Sequence, residues 1–248
     1  MIPAPSASSD RSRGRTVLWD AWASASAKPV FATLRPAIEA LGSFDAFPSP
    51  EEIDARLAPL AGVRFVRQEK RPRRKRRSAP DASAAAAPSS PGTPSMYDAR
   101  IVLEGVVPTR EGSWHDLMNA LVWATFPRAK RALHARQHTL VVPAKPGQSL
   151  RRPRELDALA LVDEGGVLVV RDGAAEPRQV VFGHAVYEGV VLGWPAPVSA
   201  ALEIALEGAG AATAGALPSE LDRALEALVG DRERLKDPRD LYRVPIAV

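Results

Sequence analysis

The chain has no cysteine among its 248 residues. That excludes a disulfide framework, a thiolate nucleophile and a thiolate metal site, and leaves histidine, carboxylate and hydroxyl groups to carry any chemistry. Histidine is itself scarce, with four in the chain. No segment approaches the run of about 18 apolar residues that a membrane-spanning helix requires. The opening MIPAPSASSDRSRGR also lacks an apolar run behind a basic one. These absences predict a soluble cytoplasmic protein with no membrane partner. Neither a glycine-rich nucleotide loop nor a His-Glu-x-x-His zinc motif is present.

The net charge of +4 at first suggests a nucleic-acid partner. The tract from Arg67 to Arg77, however, holds eight basic residues and one glutamate; taking its +7 away leaves −3 for everything else. Any weak, nonspecific nucleic-acid contact therefore belongs to this tract rather than to the body, and it has no interleaved aromatic to stack on a base. Ala, Pro and Ser dominate from Ser78 to Ser95. Residues 67–95 read as one flexible insertion, and residues 1–15 as disordered. The remainder, 16–66 and 96–248, reads as one α+β globular body.

Three of the four histidines fall between His115 and His138. In SWHDLMNALVWATFP, apolar residues recur at helical spacing after Ser113, a good N-cap, and Pro127 stops the helix and opens a second one to about Ala135. His115 and Asn119 share a face, with Asp116 in the first turn. Downstream, LDALALVDEGGVLVV predicts two strands, Ala158–Val162 and Val167–Val170, joined tightly through Asp163, Glu164, Gly165 and Gly166. A short strand is expected over Leu140–Val142. His184 and Glu188 lie four apart on an expected helix over 183–192. Helices are also expected around Phe31–Leu41, after Ser49 and Pro50, and after Ser219; a strand is expected at 63–66.

These groups have two readings. Asp116 in a first turn and a charged strand tip at Asp163 and Glu164 are ordinary structural features. The same residues, brought together, form a mixed nitrogen and oxygen site.

The segments EGVVPTREGSWHDLMNALVWATFPRAKRALHARQ, RELDALALVDEGGVLVV and VFGHAVYEGVVLG resemble the DUF3025 family of bacterial proteins, whose biochemical role is not established. The resemblance brings no activity with it. It marks Arg110, His115, Asp116, Asn119, Lys130, Asp157, Asp163, Glu164, His184 and Glu188 as matching the family's characteristic polar residues. The chain departs where it reads His134, Ala135, Arg136 and Gln137 in place of Asn-Ala-Arg-His.

The expectation is thus an α+β fold in which central helices surround the WHDxxNALxW-like segment, with a β-hairpin and peripheral helices. The expected activity is metal-assisted hydrolysis of an anionic small molecule. His115, Asp116 and His184 would hold Mn, Fe or Zn, and Glu188, Arg110 and Lys130 would serve catalysis. Asn119, Asp157, Asp163 and Glu164 would contact the ligand. The alternative is a noncatalytic ligand- or nucleic-acid-binding protein whose His and Asp residues are structural. The leucine stripe of the last helix leaves the oligomeric state open.

Overall fold

The computed structural model describes residues 22–68, 94–140, 152–171, 176–194, 199–205 and 217–246. Residues 1–21, 69–93 and 141–151 lie outside this set, and with them most of the expected insertion and basic tract.

The fold is α+β. A 3-10 segment, Pro29–Leu34, leads into α1 (Arg35–Leu41), and α2 spans Pro50–Ala61. Ser49 caps α2 in a reciprocal box with Glu52, and Gly62 ends it in a left-handed conformation. Strand β1 (Arg64–Arg67) pairs in parallel with β2 (Val106–Thr109). Between them lie α3 (Pro94–Ala99) and a π-helical turn, Arg100–Glu104.

The central helix α4 (Trp114–Thr125) starts at Ser113, whose hydroxyl accepts from the Asp116 amide, and buries eight of its twelve residues. A helix apolar on nearly every side belongs inside a fold. Phe126 leaves the helical region ahead of Pro127, as a residue before proline tends to. Helix α5 (Pro127–Leu140) then begins. Its first free amides, Arg128 and Ala129, donate to Asp222 of α8 (Leu217–Gly230). Buried Arg136 crosses to Glu155 and to the main-chain oxygens of Val229, Asp231 and Arg234, tying α5 to the end of α8.

The expected pair of strands before and after Asp163 is not formed. Residues Arg154–Gly165 make a helix, α6, and only Gly166–Arg171 is a strand, β3. Leu156, Leu159 and Val162 recur at spacing three and are all buried, while Leu, Ala and Glu favour helix. An apolar run of this length reads either way, and the helical face prevailed. The hairpin partner of β3 is instead β4 (Arg178–Val181). Strand β3 also pairs in parallel with β5 (Ser199–Ala205), which takes β6 (Tyr242–Val244) antiparallel, giving a mixed sheet β4-β3-β5-β6. Leu140, the first residue of the strand expected over Leu140–Val142, is still in α5; the other two lie outside the described set. Helix α8 starts two residues before Ser219.

Helix α7 (His184–Val191) follows β4 through Gly183. Phe31, Trp123, Phe126, Phe182 and Tyr187 are fully buried in one core that joins the helices to the sheet. Among the described residues no helix is long and apolar enough to cross a membrane.

Candidate metal centre

Three helix ends meet at one point. His115 stands in the first turn of α4, His184 opens α7, and Glu164 lies in the last turn of α6. Gly183 makes the meeting possible. Its amide donates to the Gly166 oxygen, and a Cβ there would lie 2.4–2.5 Å from the Gly166 nitrogen and the Gly165 backbone. Only a residue without a side chain allows so close a passage, which sets His184 beside the end of α6.

The Nδ1 atoms of both histidines are taken. His184 Nδ1 lies 2.8 Å from the main-chain oxygen of Asp163, and His115 Nδ1 lies 3.0 Å from Glu188 Oε2. Each partner is an acceptor, so each Nδ1 carries a proton and, in the neutral rings, each Nε2 carries a lone pair. Those two Nε2 atoms face one another at 3.0 Å. Glu164 Oε2 completes the cluster at 3.5 Å from His184 Nε2 and 3.9 Å from His115 Nε2. Side-chain exposure rises from 4% at His184 through 30% at His115 to 51% at Glu164, so the cluster is closed on the inside and open at the carboxylate.

Burial, opposed by Asp163, pushes the His184 ring down to about 3, so it is neutral at ordinary pH. Burial and the neighbouring Asp163 raise the Glu164 carboxyl above its ordinary value. Asp163 is largely enclosed as well, which opposes ionisation, yet the Lys130 ammonium beside it holds its carboxyl well below the usual range. Lys130 Nζ sits 2.5 Å from Asp163 Oδ1 and is wholly enclosed.

His115 and His184, 69 positions apart, therefore converge as the sequence suggested. Asp116 is not the third member. Its carboxylate takes the Arg110 amide at 2.6 Å and the Arg110 guanidinium at 2.7 and 3.0 Å. Neighbouring helical residues point about 100° apart, so His115 and Asp116 cannot both face the cluster. Glu188 touches the site through His115, Lys130 through Asp163, and Arg110 is committed to Asp116. Asn119 is buried, with its amide nitrogen donating to the Tyr97 hydroxyl at 3.1 Å. Asp157 pairs with Arg152 on the surface. Sequence reasoning missed Asp98, whose carboxylate accepts from buried His134 at 2.9 Å. The one available signal was that His134 stands at the departure from the family pattern.

Fold and site together define an α+β protein with a partly buried His/His/Glu cluster whose geometry can hold a metal ion. A family model described as a protein of unknown function (DUF3025) matches residues 85–179, a span that includes His115 and Glu164 and ends before His184. No curated protein and no solved structure matches the chain.

Proposed function

We propose that this protein is a metal-assisted hydrolase of small anionic substrates, with His115, His184 and Glu164 holding one manganese, iron or zinc ion. The observation that carries the reading is the 3.0 Å approach of two Nε2 atoms whose rings each have Nδ1 on an acceptor. Two lone pairs at that distance repel unless a cation lies between them. Bonds of about 2.0–2.1 Å to one ion place two nitrogens between about 2.9 Å, for a right angle, and about 3.4 Å, for a tetrahedral one, so the observed separation fits. The imidazole and carboxylate set suits these three metals better than an all-oxygen magnesium cage.

A bound divalent ion supplies Lewis acidity and lowers the pKa of water. The chain's own groups orient the rest. Glu188 and the Asp163 carbonyl fix the two imidazole rings, the role such outer partners play at metal sites. Half-exposed Glu164 marks the side from which an anion approaches.

The noncatalytic reading has one observation in its favour. A 3.0 Å contact is also an ordinary N–H···N length, and a doubly protonated His115 would donate to both Glu188 and His184. Equilibrium dialysis against zinc and manganese, followed by metal analysis, separates the two. One ion per chain is expected, lost in His115→Ala and His184→Ala variants that keep their circular dichroism. Binding that survives in both variants would remove the metal centre. For the activity, metal-loaded protein should hydrolyse p-nitrophenyl phosphate, and a rate equal in wild type and His184→Ala would overturn the hydrolase reading.

A further inference from the structure

Beside Glu164 lies a cavity of about 180 Å³ lined by Tyr97, Asp98, His134, Leu156, Ala160 and Glu164, with Asp163 and Arg152 also in its wall. An apolar cavity of about 150 Å³ admits benzene, so this one encloses about seven non-hydrogen atoms, with the rest of a ligand at its open end.

Its innermost group is unusual. His134 is 1% exposed and gives its Nδ1 proton to Asp98, itself buried, yet its Nε2 has no hydrogen-bond partner among the described residues. Trp123 stacks on the ring at 5.5 Å and 6°, and Tyr97 meets it edge-on at 5.7 Å, so the ring is held from both sides. A buried polar atom left unpaired costs about 1–3 kcal/mol, and native proteins rarely leave one so without a reason. With Nδ1 as the donor, Nε2 of the neutral ring is an acceptor. The group it would receive is a hydroxyl or N–H. Leu156 and Ala160, one turn apart on α6, offer apolar contact to a carbon skeleton. At the exposed end stand Glu164, from the metal cluster, and Arg152, whose side chain is half-exposed and paired with Asp157.

We propose that this cavity is the substrate pocket of the metal centre, and that it takes a small hydroxylated oxyanion whose hydroxyl donates to His134 Nε2 and whose anionic end reaches the metal beside Glu164. Asp98 is a positioning residue, since it fixes which nitrogen of His134 faces the ligand. The inference rests on the proposed metal function for the anionic end and on the cavity alone for the hydroxyl end.

The test uses the full chain with glycerol 1-phosphate as probe and inorganic phosphate, which has no alcohol, as reference. Calorimetry is run on zinc-loaded and zinc-free protein, with bound zinc counted separately. Glycerol 1-phosphate should bind at least about tenfold more tightly than phosphate, a difference of the size one buried hydrogen bond supplies. His134→Phe, which keeps an aromatic ring against Trp123, should abolish that preference while leaving zinc stoichiometry and phosphate affinity unchanged. His134→Asn keeps a donor for Asp98 without Nε2 and should do the same if the phenylalanine variant fails to fold. Equal affinity for the two probes, or a preference that survives both substitutions, overturns the pocket and leaves water as the partner of Nε2. Failure of zinc to bind, with a His134-dependent preference still present in the zinc-free protein, upholds the pocket and rejects the metal function instead.

Discussion

Replacing Lys130 by methionine tests whether the support beneath the centre is an interior ion pair. Lys130 is fully enclosed and its Nζ lies on Asp163 Oδ1, with the face of Trp123 5.6 Å away. Methionine fills much of the same volume without charge, so the loss is electrostatic rather than a cavity. The Asp163 side chain is only 13% exposed and would be left as a buried carboxylate without its cation. Breaking a buried pair from one side costs about 3–5 kcal/mol, whereas removing both charges is often close to neutral. At about 2–4 °C per kcal/mol for a chain of this size, Lys130→Met should lower the melting temperature by about 6–20 °C. Lys130→Met/Asp163→Asn should recover most of that loss. Denaturant melts of the wild type, both single variants and the double variant close a thermodynamic cycle. A single-variant loss below about 1 kcal/mol, or a double variant as unstable as the sum of the singles, would refute the pair's role.

Gly183→Ala should destabilise the fold by about 1–3 kcal/mol or more, as overpacking does, because its Cβ has to push the Gly165–Gly166 backbone away. Zinc binding by the same variant should fall at temperatures where it remains folded, and unchanged zinc affinity would show that the close approach does not position His184. Asp237 is held well below the usual carboxylate range by Arg239, by the backbone amide it caps and by Arg154. A depressed folded-state pKa contributes stability that is present above the unfolded value of about 3.9 and is lost as pH falls. The deficit of Asp237→Asn, read from urea midpoints, should therefore be full at pH 6 and shrink below about pH 4; a deficit independent of pH would contradict that account.

The two histidines of the cluster stood out in the sequence, but its third member did not, since Asp116 was expected where Glu164 stands, and its connectivity was not legible. His184 and Glu188 stand four apart on a helix and suggest each other as partners, yet Glu188 bonds His115 across 73 positions. The reason is that His184 Nδ1 already has the Asp163 carbonyl, an acceptor that no side-chain pattern advertises. Helix α4, its serine cap and the break at Pro127 follow from strong local rules and are where those rules put them. Helix α6 shows the opposite case. Its alanines and leucines fit a strand face as well as a helix face, and only packing against the rest of the core decides. Once 154–165 is helical, Ala160, Asp163 and Glu164 share one side of it, and the cavity and the cluster become neighbours through ordinary helical periodicity.

The helix ends that build the cluster run against their usual electrostatic preferences. Carboxylates are favoured near helix N-termini and cations near C-termini. Here Glu164 sits in the last turn of α6, where the peptide dipoles oppose its charge, and both histidines stand at N-terminal ends, where a protonated ring is opposed. Asp116 and Asp157, by contrast, lie in first turns, as the dipole prefers, and both pair with arginines outside the cluster. Local rules are thus obeyed by the acidic residues beside the site and broken by Glu164 within it. Such breaches gather where another interaction compensates them. The proposed divalent ion on the two Nε2 atoms and the Glu164 carboxylate would attract a carboxylate the dipole repels and separate two lone pairs that otherwise face each other at 3.0 Å, gains that have to exceed the cost of positive charge at the N-terminal ends of α4 and α7.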